Sequence, residues 1–197
     1  MTAIRPNPKP SNPKPSNPKA WNPRAWILDR FRRDRRGTAA EEFVIILPMA
    51  LILLTGAVTY GDAISIDRKV TLTAHTITDL TTQYSIITTA QLTALLTAAT
   101  AIIAPYAAAN ITVTVSEVQT NASSVATITW SQSTGTARTV GSTVTLPASL
   151  TTANATYIWG EATYVYTPTV GYQVTGPITL HQQTYMAPRL STSITYN

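Results

Sequence analysis

The chain has 197 residues, 44% of them hydrophobic, with no cysteine and a formal net charge of +5 at pH 7. Without cysteines the fold cannot depend on disulfides, so packing and hydrogen bonding must stabilise it. The charge is unevenly divided, because residues 1–37 carry +8 and residues 38–197 carry −3. This asymmetry is typical of a membrane topology signal. No aromatic platform or nucleic-acid-binding motif accompanies it, so no nucleic-acid partner is expected.

Residues 1–37 form a basic, proline-rich segment that we predict to be disordered. Residues 7–26 repeat a five-residue unit that begins with Asn-Pro-Lys or Asn-Pro-Arg. Dense proline prevents a helix or a central strand, so an extended, solvated tail is expected. The segment ends in a basic cluster that includes Arg32, Arg33, Arg35 and Arg36. Because basic flanks stay on the cytoplasmic side of a membrane span, this cluster predicts a cytoplasmic N-terminus.

An uncharged apolar run follows from Phe43 to Gly61. At about 1.5 Å per residue, its ~19 residues extend roughly 28 Å as a helix, close to the hydrocarbon thickness of a bilayer. Residues 38–61 are therefore predicted to form a transmembrane helix. A buried core helix is one alternative, although apolar residues on every face are unusual for a soluble helix. A cleaved secretory signal is another, but only a poor cleavage site, Gly61-Asp62-Ala63, follows the run.

A small residue and two glutamates lie between the basic cluster and the apolar run. Gly37 and Thr38 precede Glu41, Glu42 and Phe43. A charge beside hydrocarbon is costly unless it has a partner. Cleavage after Gly37 would create an α-amine on Thr38, on the same helix face as Glu42, and the two groups could pair. Alternatively, both glutamates stabilise a helix N-terminus through its macrodipole.

Beyond the span, residues 62–105 are predicted to be helical. The helix continues with an apolar stripe at spacings of four and three, formed by Ile66, Val70, Ala74, Ile77 and Leu80. Thr88 and Gln91 have the spacing of a capping box that begins a second helix. The apolar face of this second helix consists of Leu92, Leu95, Leu96, Ala99 and Ile103, and Pro105 ends it.

The period of the apolar residues changes to two in residues 106–197. Alternating segments occur at 111–115, 126–130, 144–146, 158–166 and 178–180. Glycines and prolines separate them, as is typical of turns. Two helices followed by a run of strands predict an α+β fold, in which the second helix packs on one face of an antiparallel sheet.

No catalytic, metal or cofactor motif is recognisable in the sequence. His75 and His181 lie far apart, and neither has the spacing of a metal-ligand pair. The carboxylates after the apolar run are spread too thinly to nominate an acid–base pair. We therefore expect no enzyme activity, no catalytic residue, no cofactor and no metal, and we expect structural roles for both histidines.

The residues around the predicted cleavage site resemble a known family. Gly37, four further residues, Glu42-Phe43 and an apolar helix resemble the prepilin-peptidase site of Flp-type pilins and pseudopilins. The longer pattern is similar to the TadE-like minor pilins of tight-adherence pilus systems, and it comprises Asp29–Gly37, Glu42-Phe43, Pro48, Gly56 and, near the end of the chain, Tyr185–Arg189. The family more often carries an acidic and a basic residue just beyond the span, whereas here Gly61-Asp62 is followed by Ala63-Ile64.

The resemblance implies cleavage between Gly37 and Thr38 by a prepilin peptidase of the bacterial inner membrane, with Glu42 and Phe43 as recognition and assembly residues. It implies a pseudopilin or minor pilin that functions in adhesion. Its partners would be the major Flp-type pilin and other pseudopilins, with the pilus assembly platform and its ATPase acting indirectly. The C-terminal domain would face the periplasm or enter an extracellular pilus. The alternative is an uncleaved single-pass membrane protein with a periplasmic binding or scaffolding domain.

Overall fold

The computed structural model describes residues 38–168 and 176–197. It divides into two compact units, Met1–Ala50 and Leu51–Asn197. The fold is α+β, as predicted, with a long helix, a second helix and an antiparallel sheet. The tail that we predict to be disordered, residues 1–37, lies outside the described residues.

Helix α1 runs from Thr38 to Thr82 and contains Pro48. The predicted transmembrane helix and its predicted continuation are therefore one element. The predicted apolar stripe is confirmed in the second half of α1, where the buried residues of the stripe are Ile66, Val70, Ala74 and Ile77. Leu80, the last residue of the predicted stripe, is half-buried.

Threonines allow this second half of α1 to be polar in sequence and buried in structure. The hydroxyls of Thr73, Thr78 and Thr81 donate to carbonyl oxygens one turn earlier, at 2.8, 2.6 and 2.7 Å. A buried hydroxyl that bonds within its own helix avoids the free-energy cost of an unsatisfied donor. The helix can therefore pack its threonine-rich surface against the rest of the second unit.

Helix α2 runs from Thr89 to Thr100. The predicted capping box is present: the Gln91 N–H donates to the Thr88 Oγ1 at 3.3 Å, and the Thr88 N–H donates to the Gln91 Oε1 at 3.0 Å. The α-helix ends before the predicted limit because a 3₁₀ turn, Ala101–Ile103, precedes Pro105. Its buried residues belong to the predicted apolar face and are Leu92, Leu96 and Ala99.

The remaining elements are strands. They are β1 (Ile86–Ile87), β2 (Ile111–Thr120), β3 (Ala126–Ser133), β4 (Thr143–Val144), β5 (Thr156–Tyr166), β6 (Ile178–Met186) and β7 (Thr195–Tyr196). Five of them form an antiparallel sheet in the order β4-β3-β2-β5-β6. Strands β1 and β7 form a separate parallel pair. The sequence did not predict this pair, because two-residue strands are too short to show a period.

The two faces of the five-stranded sheet carry separate apolar clusters. We call the face that packs with α1 and α2 the inner face, and its core includes Val113, Val115, Ile158 and Ala162. The opposite, outer face carries a smaller cluster that includes Val118, Ile128, Leu146 and Trp159. Since Leu146 follows β4, the connection from β4 to β5 covers part of the outer face.

A β-bulge in β3 moves neighbouring apolar residues to opposite faces. Glu117 pairs with Trp130, whereas the next residue, Val118, pairs with Ile128, so Thr129 is the extra residue. Trp130 consequently packs in the inner cluster, the apolar cluster of the inner face. Ile128 packs in the smaller apolar cluster of the outer face. The period of two predicted the strand, but a bulge changes the face without changing the local pattern.

α1 packs closely on β5 at Gly160. A Cβ atom at this position would lie 1.9 Å from the Thr78 Oγ1 and 3.0 Å from the Ala74 carbonyl oxygen. No larger side chain fits there unless the helix moves, because protein interiors are close-packed. Glycine at this position therefore sets the distance between the helix and the sheet.

Candidate functional site

The predicted processing region coincides with the start of α1. The helix begins at Thr38, the residue after the predicted cleavage site. Glu42 and Phe43 are exposed, and Glu42 is one turn from Thr38, on the same helix face. The other residues of the predicted region lie outside the described part of the chain, and they are Gly37, Arg32, Arg33, Arg35 and Arg36.

The first half of α1 exposes apolar side chains in every direction. The consecutive residues Val44–Leu47 are all exposed, and so are Leu51–Leu54, Val58 and Tyr60. No residue in the most apolar 18-residue window of the helix is buried. A soluble core helix would be largely buried, so that alternative does not describe this segment. By length and composition, α1 is the one helix within residues 38–168 and 176–197 that can cross a membrane.

Two polar side chains in or near this segment, those of Thr55 and Ser65, are satisfied within the helix. The Thr55 hydroxyl lies 2.9 Å from the Leu51 carbonyl oxygen and 3.1 Å from that of Ile52. The Ser65 hydroxyl donates to the Gly61 carbonyl oxygen at 2.9 Å. Lipid offers no hydrogen-bond partner, so this internal pairing makes the segment compatible with a bilayer.

A polar seam joins the second half of α1 to β6. The Gln182 amide donates to the Asp67 Oδ1 at 2.8 Å. The Thr184 hydroxyl lies 3.3 Å from both ring nitrogens of His75. His75 therefore contacts β6.

The seam continues into the segment after β6. Arg189 forms an ion pair with Asp79, and its backbone N–H donates to the Thr82 carbonyl oxygen at 3.0 Å. The contact residues Asp67, His75 and Asp79 follow one another along α1. Their partners Gln182, Thr184 and Arg189 follow in the same order along β6 and the segment after it. The helix and β6 consequently run in the same direction, and the C-terminal segment holds the end of α1.

Glu117 carries a buried carboxylate and is only 1% exposed. Its Oε1 accepts hydrogen bonds from the Gln119 amide at 2.7 Å and the Thr129 hydroxyl at 3.2 Å. Its Oε2 accepts hydrogen bonds from the Trp130 indole at 3.1 Å and the Ile194 N–H at 2.8 Å. These neutral donors offset the cost of burying the carboxylate. Glu117 therefore connects β2, β3 and the C-terminal segment.

A second carboxylate, that of Glu161, lies on the outer face and pairs with Arg138. The guanidinium Nε and Nη2 donate to its two oxygens, each at 2.6 Å. The guanidinium carbon lies 3.9 Å from the centre of the Trp159 ring, which stacks on Tyr185 with ring centres 5.3 Å apart. The hydrogen bonds to Glu161 raise the pKa of Arg138 above its ordinary value. We call these four residues the outer cluster.

His181 borders the outer cluster. Its Nδ1 lies 2.8 Å from the Thr163 hydroxyl, and its Nε2 lies 3.8 Å from the nearest Glu161 oxygen. Within residues 38–168 and 176–197, no group of three or more His, Asp and Glu side chains could hold a metal ion. The expectations of no enzyme activity, no cofactor and no metal stay predictions.

The sequence did not identify either buried carboxylate as special. The Ile194 N–H that contacts Glu117 is 77 residues away along the chain, and Arg138 is 23 residues from Glu161. Each glutamate occupies an ordinary strand position, so no local pattern marks it. Only the pairing of distant strands brings these groups together.

Comparisons of the chain with protein-family models, with curated proteins and with solved structures find no match.

Proposed function

We propose that the chain is a minor pilin or pseudopilin of a Flp-type tight-adherence pilus, and that a prepilin peptidase cleaves it between Gly37 and Thr38. The observation that carries this proposal is the division of α1 into two kinds of surface. Its first half exposes apolar residues on every side, and its second half buries a stripe against the sheet. Such a helix can anchor in a membrane through one half and carry a folded domain on the other.

The start of the helix supports the position of the cut. A peptidase at the cytoplasmic membrane face needs an accessible bond with a small residue beside it. The bond between Gly37 and Thr38 immediately precedes α1. Cleavage there would remove the +8 segment and leave an apolar helix with a free amine at its first residue.

Glu42 is then available for assembly. Among the described residues it has no ion-pair partner. A carboxylate near hydrocarbon gains most from a cationic partner, and the Thr38 amine of the same or a neighbouring subunit would supply one. The partners in this proposal are the inner membrane, the major Flp-type pilin and other pseudopilins.

The second candidate is an uncleaved single-pass membrane protein that uses its C-terminal domain as a periplasmic binding or scaffolding module. The exposed apolar half of α1 is compatible with this function too. A cut after the span is less favoured, because Gly61-Asp62-Ala63 lies inside an uninterrupted helix. The two candidates differ in whether residues 1–37 are present in the mature chain.

Mass spectrometry of the chain from its native host tests the proposal. The mature chain should begin at Thr38, and Gly37→Leu should cause the full-length chain to accumulate. Gly56→Leu is the matched control, because a Cβ atom at Gly56 would meet nothing within 4 Å, and it should leave processing intact. A native chain that begins at residue 1 or 2, or beyond Tyr60, would contradict the proposal.

The same preparation separates processing from assembly. Glu42→Ala should leave the cut largely intact while it weakens co-purification with the major pilin and lowers piliation. Glu41→Ala, the neighbouring exposed carboxylate, should have the smaller effect. Equal assembly defects for both variants would instead favour a general stabilisation of the helix N-terminus by negative charge.

A further inference from the structure

α1 enters the folded domain, residues 62–197, soon after its apolar run ends. The run ends at Gly61, and Ile66 is the first buried residue of the helix. The helix is uninterrupted between them, so roughly 7–8 Å along its axis separates the two residues. The headgroup layer on each side of a bilayer's hydrocarbon core is about 5–7 Å thick. With Gly61 at the hydrocarbon boundary, the near end of the domain lies at the headgroup layer, a step that rests on the membrane anchor of the proposed function.

The contact between α1 and β5 shows which part of the domain this end contains. β6 runs in the direction of α1 and pairs antiparallel with β5, so β5 runs toward the span. The strand from Gly160, which packs on Ala74 and Thr78, to its end at Tyr166 is roughly 20 Å long. The same length of helix is about 13 residues, so the end of β5 is expected near Asp62. A hydrogen bond between the Tyr166 hydroxyl and the Asp62 carboxylate agrees with this level.

A loop without charged residues lies at the same end. β2 begins at Ile111, opposite Tyr164, so the residues before it continue toward the end of β5. Residues 101–109 consist of alanine, isoleucine, proline and tyrosine alone, and we call them the apolar loop. Tyr106 of this loop packs against the inner cluster, as Tyr166 does. The apolar loop therefore lies at the end of the domain that faces the span.

Most of the apolar loop is exposed. Its exposed residues are Ala101, Ala104, Pro105, Ala107, Ala108 and Ala109. Surface loops are normally polar, so a run of exposed apolar residues indicates an apolar partner. The Tyr106 hydroxyl is the single polar side-chain group of the loop, and tyrosine is enriched at membrane–water interfaces. The composition and the position of the loop thus both match the boundary of a bilayer.

The opposite end of the sheet is built differently. There the turn from β2 to β3, residues 121–125, is Asn-Ala-Ser-Ser-Val. The Asn121 side-chain oxygen accepts hydrogen bonds from the N–H groups of Ser123 and Val125, each at 2.9 Å. Such a turn is typical of a water-exposed loop. Because Ala122 is exposed like the alanines of the apolar loop, it is a matched control position far from the span.

We propose that the apolar loop docks on the headgroup layer of the bilayer that α1 crosses, with phospholipid as its partner. The loop rests at the boundary and does not enter the hydrocarbon, because its backbone N–H and C=O groups need hydrogen-bond partners that lipid tails lack. The helix and the loop then hold the domain at two points, which fixes its tilt on the membrane. Docking does not require the cut after Gly37.

Spin labels at single cysteines measure the depth of the loop, because the chain has no native cysteine. The full chain with Ala108→Cys is labelled with a nitroxide and reconstituted, one chain each, into phosphatidylcholine nanodiscs. Power-saturation EPR compares label collisions with oxygen, which concentrates in lipid, and with a water-soluble nickel chelate. We expect the oxygen-to-nickel ratio at Ala108→Cys to be at least about threefold that at Ala122→Cys, because the loop lies at the headgroup boundary. Equal ratios at the two positions would overturn the proposal.

Charged variants of the labelled chain test whether the apolar side chains cause the docking. Ala107→Asp with Ala109→Asp should lower the ratio at Ala108→Cys to the value at Ala122→Cys, because carboxylates stay in water. Ala122→Asp with Ser123→Asp, at the opposite end of the sheet, should leave the ratio at Ala108→Cys unchanged. A high ratio that survives both aspartates in the loop would show that α1 alone sets the depth, and docking by the loop would be wrong. Protection from nickel that appears only in vesicles with several copies would replace the lipid with a second copy of the chain.

A label in the span separates this outcome from that of the proposed function. Val58→Cys, at an exposed position of α1, should give the high ratio of a lipid-facing site. A high ratio there with a low ratio at Ala108→Cys would leave the membrane anchor standing and remove docking alone. Low ratios at both positions would remove the anchor and the docking together. The cut after Gly37 is measured by the mass of the mature chain, which neither ratio affects.

Discussion

The two buried carboxylates of the second unit are compensated in different ways. Glu117 receives four neutral hydrogen bonds, whereas Glu161 receives a bidentate pair from Arg138. Neutral donors add no charge to the inner cluster, and the Ile194 N–H among them ties down the C-terminal segment. The pair on the outer face is charge-assisted and directional, and the guanidinium also packs on Trp159. The first arrangement secures the chain end, and the second holds the loop that contains Arg138 against the sheet.

Tyr185 in the outer cluster gives folding stability a dependence on pH. Burial, followed by the nearby charge of Glu161, raises the pKa of Tyr185 above its ordinary value of 10.0. As the pH rises past this ordinary value, the unfolded chain loses the phenolic proton while the folded chain still holds it. Stability therefore falls with pH in that range. Burial also raises the pKa of Tyr166, which acts in the same direction.

We expect Tyr185→Phe to make this alkaline loss of stability smaller. The substitution keeps the ring that stacks on Trp159 and removes the titrating group. Urea unfolding of the full chain in detergent, from about pH 8 to about pH 11, measures the effect around the ordinary tyrosine pKa. Tyr84→Phe, which removes a phenol beyond the apolar span and outside the outer cluster, is the control. Identical pH profiles for Tyr185→Phe and the unmodified chain would contradict the assignment.

Among the elements, α1 combines two kinds of surface in one continuous helix. Its first half has apolar residues on all sides, as a bilayer requires. Its second half has a narrow apolar stripe among threonines, which suits packing on a sheet when the hydroxyls bond back to the helix. The contact with β5 then depends on Gly160, where a side chain would collide with Thr78.

We expect Gly160→Ala to lower the free energy of unfolding by about 1–3 kcal/mol, the usual cost of overpacking a core. Thermal or urea unfolding of the full chain measures the change. Gly56→Ala, whose Cβ atom meets no neighbour, should not destabilise the chain. Adding Thr78→Ala to Gly160→Ala should restore part of the loss, because the closest atom is removed. A Gly160→Ala variant as stable as the unmodified chain would show that the helix is free to move away.

For the whole molecule, charge asymmetry predicts orientation. The +8 segment before the span and the −3 balance after it favour a cytoplasmic N-terminus and an exported C-terminus. A reporter that is active only in the periplasm should work when fused after Asn197 and fail when fused before Arg30. The control is the same pair of fusions with a reporter active only in the cytoplasm, which should give the reverse result. Periplasmic activity at the N-terminal fusion alone would contradict the proposed orientation.

The amino-acid sequence by itself determined the class of the fold and, for its two helices, the apolar run of α1 and the start of α2. Both signals are local: an uncharged run long enough to cross a bilayer, and a capping box at Thr88 and Gln91. The periods of the apolar stripe and of the strands are local as well, because each depends on residues close along the chain. The cleavage site and the pilin function were also inferred from local residues, and they remain proposals.

The tertiary structure alone decided which face each residue occupies and which distant residues meet. The bulge at Thr129 sends Ile128 and Trp130 to opposite faces, although their spacing in sequence is that of a single face. The β1–β7 pair and the donors to Glu117 depend on contacts between residues far apart in the chain. Such contacts form only after the strands have paired, and a single sequence carries no periodic signal for them.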